Sequence, residues 1–184
     1  MKNRFFPIWL MVLALFTCIA CENNTKPPTK STPPKKVVLP KVTFHADSAY
    51  QFVQKQVDFG PRAPGKAAHK ACADWLEEKL KEYGAEVIVQ KSEVVASLGG
   101  KVPMYNIIGA INPTASKRIL LAAHWDTRLM ADQDDDETKK KEPIDGANDG
   151  GSGVGVLLEI ARQLSLRPLQ NIGVDIILFD VEDQ

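Results

Sequence analysis

Three largely apolar runs of strand length, residues 104–111, 118–124 and 174–181, constrain this chain more than any other feature. Runs this short and this apolar suit strands buried within a sheet. Helical periodicities lie beside them. Ala68, Cys72, Trp75, Leu76, Leu80 and Tyr83 recur at helical spacing, and Gly84 is placed to end that helix. Val154, Leu157, Leu158, Ala161 and Leu164 mark the face of another. Residues 45–57 predict an earlier helix, ended by the turn signal Gly60-Pro61-Arg62-Ala63-Pro64-Gly65, and residues 85–95 alternate in part, as a strand does. Strand and helix signals that alternate in this way imply an α/β domain.

The first residues set the compartment. Lys2 and Arg4 precede an apolar run over residues 5–20, shorter than the ~20 apolar residues that span a bilayer, so it reads as an export signal. Its end, Cys18-Ile19-Ala20-Cys21, resembles a bacterial lipobox. Lipidation of Cys21 would anchor the mature chain, because each buried methylene adds about 0.8 kcal/mol. A plain signal peptide is the alternative, since Cys18 stands where a lipobox usually has Leu. The expected location is therefore outside the cytoplasm, as a lipoprotein on the periplasmic or cell-surface side of a bacterial membrane. Residues 22–41 are rich in Pro, Lys and Thr, bury almost nothing, and read as an extended linker. The folded part occupies residues 42–184.

Composition narrows the partners. The 23 basic and 23 acidic residues cancel and no basic face stands out, which argues against nucleic acid. Two of the three cysteines fall in the leader. Cys72 alone remains beyond it, so no internal disulfide framework is expected, and its helical position suits a small core residue.

Three clusters carry the chemistry. His124 and Asp126 follow the second apolar run, two residues apart and so on one side of an extended segment. Asp149 lies in the glycine-rich turn Asp145-Gly146-Ala147-Asn148-Asp149-Gly150-Gly151-Ser152-Gly153, which opens a helix. Glu182 and Asp183 close the last strand. In open α/β sheets ligands bind at the carboxyl ends of strands. Imidazole and carboxylates are the usual ligands of a catalytic zinc, which keeps three protein ligands and one open position. A neighbouring carboxylate that does not bind metal can serve as general base. Taken singly, an Asp in a glycine turn reads as a helix cap and a terminal Glu-Asp pair as a solvated loop. All three in order, each at a strand end, point to a site.

The segments 123–128 (Ala-His-Trp-Asp-Thr-Arg), 146–153 and 179–183 (Phe-Asp-Val-Glu-Asp) resemble the zinc aminopeptidase family that also contains the glutaminyl cyclases. Residues 59–65, with His69, resemble the amino-terminal signature of the cyclase branch, and bacterial cyclases look most similar. The resemblance runs from about Ala46 onward. It implies a three-layer fold with a mixed, mostly parallel central sheet and flanking helices. It also implies that Asp149 and Asp183 bind zinc, that Glu182 is the catalytic acid–base, and that Asp126 orients His124 from behind. His124 would bind a second zinc in an aminopeptidase. One zinc is expected for a cyclase and two for an aminopeptidase.

The family's remaining zinc ligand is a histidine in a carboxy-terminal part, and neither His45 nor His69 is placed to replace it. The 184 residues are thus expected to be an amino-terminal fragment that binds zinc weakly and is inactive alone. Three functions stay open: cyclisation of N-terminal glutamine in peptides or proteins to pyroglutamate with release of ammonia, hydrolytic removal of N-terminal residues, and a non-catalytic lipoprotein domain. Residues 129–143, with a run of acidic residues and then three lysines, read as a solvated loop, and a role at the substrate rim is the minority reading. Glycine is missing from calcium-loop spacing there, so calcium is a poor fit.

Overall fold

The computed structural model describes residues 44–96 and 99–183. The export signal, the Cys21 lipidation position and the whole linker lie outside the described residues. Among the described residues no helix is long and apolar enough to cross a membrane.

The elements run α1 (Ala46–Asp58), α2 (Ala67–Glu82), β1 (Glu86–Val95), β2 (Lys101–Ile111), β3 (Lys117–His124), α3 (Gly151–Leu166) and β4 (Ile172–Phe179). Each corresponds to a sequence-derived element, with ends shifted by a few residues at most. The four strands form one sheet in the order β1-β2-β4-β3. β4 is central, pairing β2 antiparallel and β3 parallel. That parallel register sets His124 opposite Phe179, so the chain leaves both strands at the same sheet edge.

The mixed sheet flanked by helices follows the expectation, and the parallel share is smaller than expected. β1 and β2 are antiparallel because the connection between them is only a few residues long, and a tight connection cannot return a strand in parallel. The three-layer arrangement is also incomplete within the described residues. Val174, Ile176 and Leu178 of β4 point into one core with Ile107, Leu76, Leu80, Val154 and Leu158. Full burial of a side chain such as Leu158 contributes about 1.5–3 kcal/mol. On the opposite face Phe179 of β4 is exposed. β3 is a second correction: Ile119 and Leu120 are exposed, since β3 has a strand partner on one side only among the described residues.

Candidate active site at the carboxyl ends of β3 and β4

Two chain reversals build the site. After β3 the chain runs through Trp125, Asp126 and Thr127, all buried, and Trp125 N–H still donates to Phe179 O at 3.0 Å. After β4 it turns sharply through Val181, whose φ of +62° is a left-handed conformation that a β-branched residue rarely adopts. Asp126 bridges the two segments. Its Oδ1 accepts the Glu182 N–H at 3.2 Å and its Oδ2 accepts the Asp183 N–H at 3.3 Å. A buried carboxylate thereby fixes the backbone that carries the two acidic residues.

Asp149 arrives from the glycine turn ahead of α3. His124 Nε2 lies 3.0 Å from Asp149 Oδ1, and His124 Nδ1 lies 3.7 Å from Glu182 Oε2. The imidazole is the meeting point of the other two groups. Side-chain exposure separates their roles: His124 is 17% exposed, while Asp149 and Glu182 are 69% and 62% exposed and open to an incoming substrate. Asp183 faces elsewhere. Its Oδ2 accepts the Arg128 N–H at 3.1 Å and its Oδ1 takes Arg128 Nη1 at 3.3 Å. Arg128 also holds Asp132 through two bonds of 2.8 Å. That pairing raises the Arg128 pKa, and the Asp132 carboxyl is pulled down to about 2 mainly by the bonds from Arg128.

Arg62 ties the site loops together from beneath. It is fully buried, and its guanidinium donates to four main-chain carbonyls: Trp125 at 2.9 Å, Gln56 at 3.3 Å, Asp145 at 2.8 Å and Gly146 at 2.9 Å. Burial lowers its pKa, and the nearby acidic groups Asp126 and Asp145 counter that shift. The glycine turn must pass close to this side chain. At Gly146, φ is +56° and a Cβ would overlap Thr127 Cγ2 and Arg62 Nη2. At Gly150, φ is +73° and a Cβ would stand 2.9 Å from His124 Cε1. Both positions require glycine on conformation and on space.

Residues 106–184 match the sequence profile of Peptidase family M28. A Porphyromonas gingivalis glutaminyl cyclase of known structure is 54% identical, with a TM-score of 0.75 over 78% of this chain and 50% of that one. A Zn-dependent exopeptidase from Parabacteroides distasonis is also 54% identical, with a TM-score of 0.75 over 78% of this chain and 49% of that one. Over residues 106–184 the chain is similar to peptidase family M28.

Among curated relatives, the Drosophila melanogaster glutaminyl-peptide cyclotransferase is 27% identical over 127 residues, which are 67% of this chain and 33% of that protein. The chain therefore spans about half the length of these solved structures and a third of that curated relative.

The donors present suit zinc in type. Asp149 Oδ1 and His124 Nε2, 3.0 Å apart, are an oxygen and a nitrogen donor of the kinds that would hold zinc. The set is partial. Among the described residues no group of three His, Cys, Asp or Glu side chains gathers to hold a metal, and Asp183 is engaged by Arg128.

Of the residues singled out in the sequence, His124, Asp126, Asp149 and Glu182 converge, and Asp183 is adjacent with its carboxylate on Arg128. Asp126, expected to orient His124, sits 3.6 Å from His124 Nδ1, beyond hydrogen-bond reach, and spends its oxygens on the 182–183 backbone. Arg62 and Asp180 are the residues that sequence reasoning passed over. In the sequence Arg62 stands only as part of a turn signal and Asp180 only as part of the segment 179–183, and the structure buries both side chains.

Proposed function

We propose that this chain supplies the proton-transfer half of a glutaminyl-peptide cyclotransferase active site. The observation that carries the reading is the convergence of Glu182 and Asp149 on His124, with both carboxylates open to solvent. The Porphyromonas gingivalis glutaminyl cyclase at 54% identity and the Drosophila melanogaster glutaminyl-peptide cyclotransferase at 27% support the cyclase reading.

In this reading Glu182 takes a proton from the α-amine of an N-terminal glutamine. The amine nitrogen forms its bond to the side-chain carbonyl carbon, Cδ, the bond from that carbon to the side-chain amide nitrogen breaks, and Glu182 returns the proton to the departing ammonia. The products are pyroglutamate at the peptide terminus and ammonia. Asp149 and Asp183 are the proposed zinc ligands, with His124 able to contribute. Zinc, when bound, would polarise the γ-carbonyl as a Lewis acid. Asp126 keeps Glu182 in place by holding its amide. The substrates are peptides or proteins with N-terminal Gln, and the proposed setting is the outer side of a membrane, through lipid on Cys21.

The test is ammonia release from Gln-initiated peptides by the product of the whole gene, with Glu182→Gln beside it. Substitution should lower kcat by roughly 10²–10⁴ and leave bound zinc unchanged. Wild-type protein that carries zinc and releases no ammonia would overturn the cyclase reading.

A zinc aminopeptidase is the second reading, favoured by the 3.0 Å approach of His124 to Asp149 and by the Zn-dependent exopeptidase at equal identity. In that case Glu182 would take its proton from water. Two bound zinc ions per chain and release of free amino acids from peptides would favour it over the cyclase.

A further inference from the structure

We infer that His69, which lies outside the proposed chemistry, is a positioning residue for Glu182 and acts through Asp180. His69 projects from the first turns of α2 and is fully buried. Its ring stacks on Trp125 with centroids 4.6 Å apart and planes 16° from parallel. Its Nε2 is 2.9 Å from both oxygens of Asp180. One imidazole thus touches the chain just beyond β3 and the chain just beyond β4, the two segments that carry the site.

Asp180 relays the constraint. Its Oδ2 accepts the Tyr105 N–H at 2.6 Å, and its Oδ1 accepts the Val181 N–H at 2.8 Å. Its own N–H donates to Asn106 Oδ1 at 2.9 Å. These bonds secure the left-handed turn at Val181, which is unfavourable for a β-branched residue and persists only where its surroundings over-determine it. The turn directs the next two amides, of Glu182 and Asp183, onto Asp126. The surrounding amides donate to Asp180, so His69 Nε2 is a third donor to it. His69 Nδ1 is then a buried polar atom without a hydrogen-bond partner. An unpartnered buried polar atom costs stability, so stability alone does not account for histidine at this position.

The kinetic arm of the test rests on the cyclase reading; the structural arm does not. Both use the product of the whole gene, with His69→Leu removing the donor and His69→Gln restoring an N–H at the reach of Nε2. Amide exchange of Glu182 and Asp183 should quicken about tenfold or more in H69L and stay near wild type in H69Q, with α1 and β1 unchanged in both. For cyclisation, kcat should fall about tenfold or more in H69L with KM unchanged, and H69Q should recover most of it. If H69L does not fold, H69N replaces it, because its shorter amide cannot reach Asp180. Wild-type exchange rates in a folded H69L or H69N, or equal loss in H69Q, would overturn the inference. An inactive wild type would sink the cyclase reading and leave the exchange measurement to decide on His69.

Discussion

The backbone at Gly150 lies against the His124 imidazole so closely that a Cβ there would stand 2.9 Å from Cε1 and 3.0 Å from the His124 carbonyl oxygen. Gly150→Ala must move the histidine, the turn, or both, and must also adopt a φ of +73°. We expect a loss of about 1–3 kcal/mol in urea unfolding. Zinc affinity should fall with it, because the turn carries Asp149. A variant of unchanged stability and zinc affinity would mean that the close approach is not needed.

Arg62→Met keeps much of the side chain's bulk and leaves four main-chain carbonyls without their donor. Chemical denaturation should report a loss of about 3–5 kcal/mol, among the largest for any single substitution in this fold. Arg62→Lys should recover part of it, since an ammonium can reach some of the carbonyls and lacks the planar fork that serves all four. Wild-type stability in Arg62→Met would show that water replaces the guanidinium without penalty.

Cys72 is fully buried, and burial pushes its thiol pKa up to about 12. Alkylation with iodoacetamide at pH 8, mapped by peptide mass spectrometry, should leave Cys72 unmodified in folded protein and modify it fully in denaturant. Rapid labelling under native conditions would contradict the packing described for α2.

Asp132 has its carboxyl drawn down to about 2 by Arg128. A depressed carboxyl pKa contributes stability that is fully present above the unfolded value near 3.9 and is lost as pH falls through the folded value. The Arg128–Asp132 clamp should therefore survive at pH 4 and release between about pH 4 and pH 2. A carbon-13 titration of the Asp132 carboxyl tests this directly; a midpoint at an ordinary carboxylate value would show that the clamp does not form.

Sequence alone determined the order and type of all seven described elements, because apolar periodicity reports which face of each segment avoids water. It also marked His124, Asp126, Asp149, Glu182 and Asp183, since those residue types at two strand ends and in a helix-opening glycine turn have few other uses in combination. The hydrogen bonds that make these residues a site were decided by tertiary structure. Arg62 finds its carbonyl acceptors on Trp125 and Gly146, 63 and 84 residues away, and His69 meets Asp180 across 111 residues. No local pattern encodes such partners. The strand order β1-β2-β4-β3 brings them together, and that order follows from how the whole apolar surface packs. The same cause explains why β3, apolar enough to read as a buried strand, is exposed here: burial depends on what covers a strand, and a strand's own residues do not carry that information.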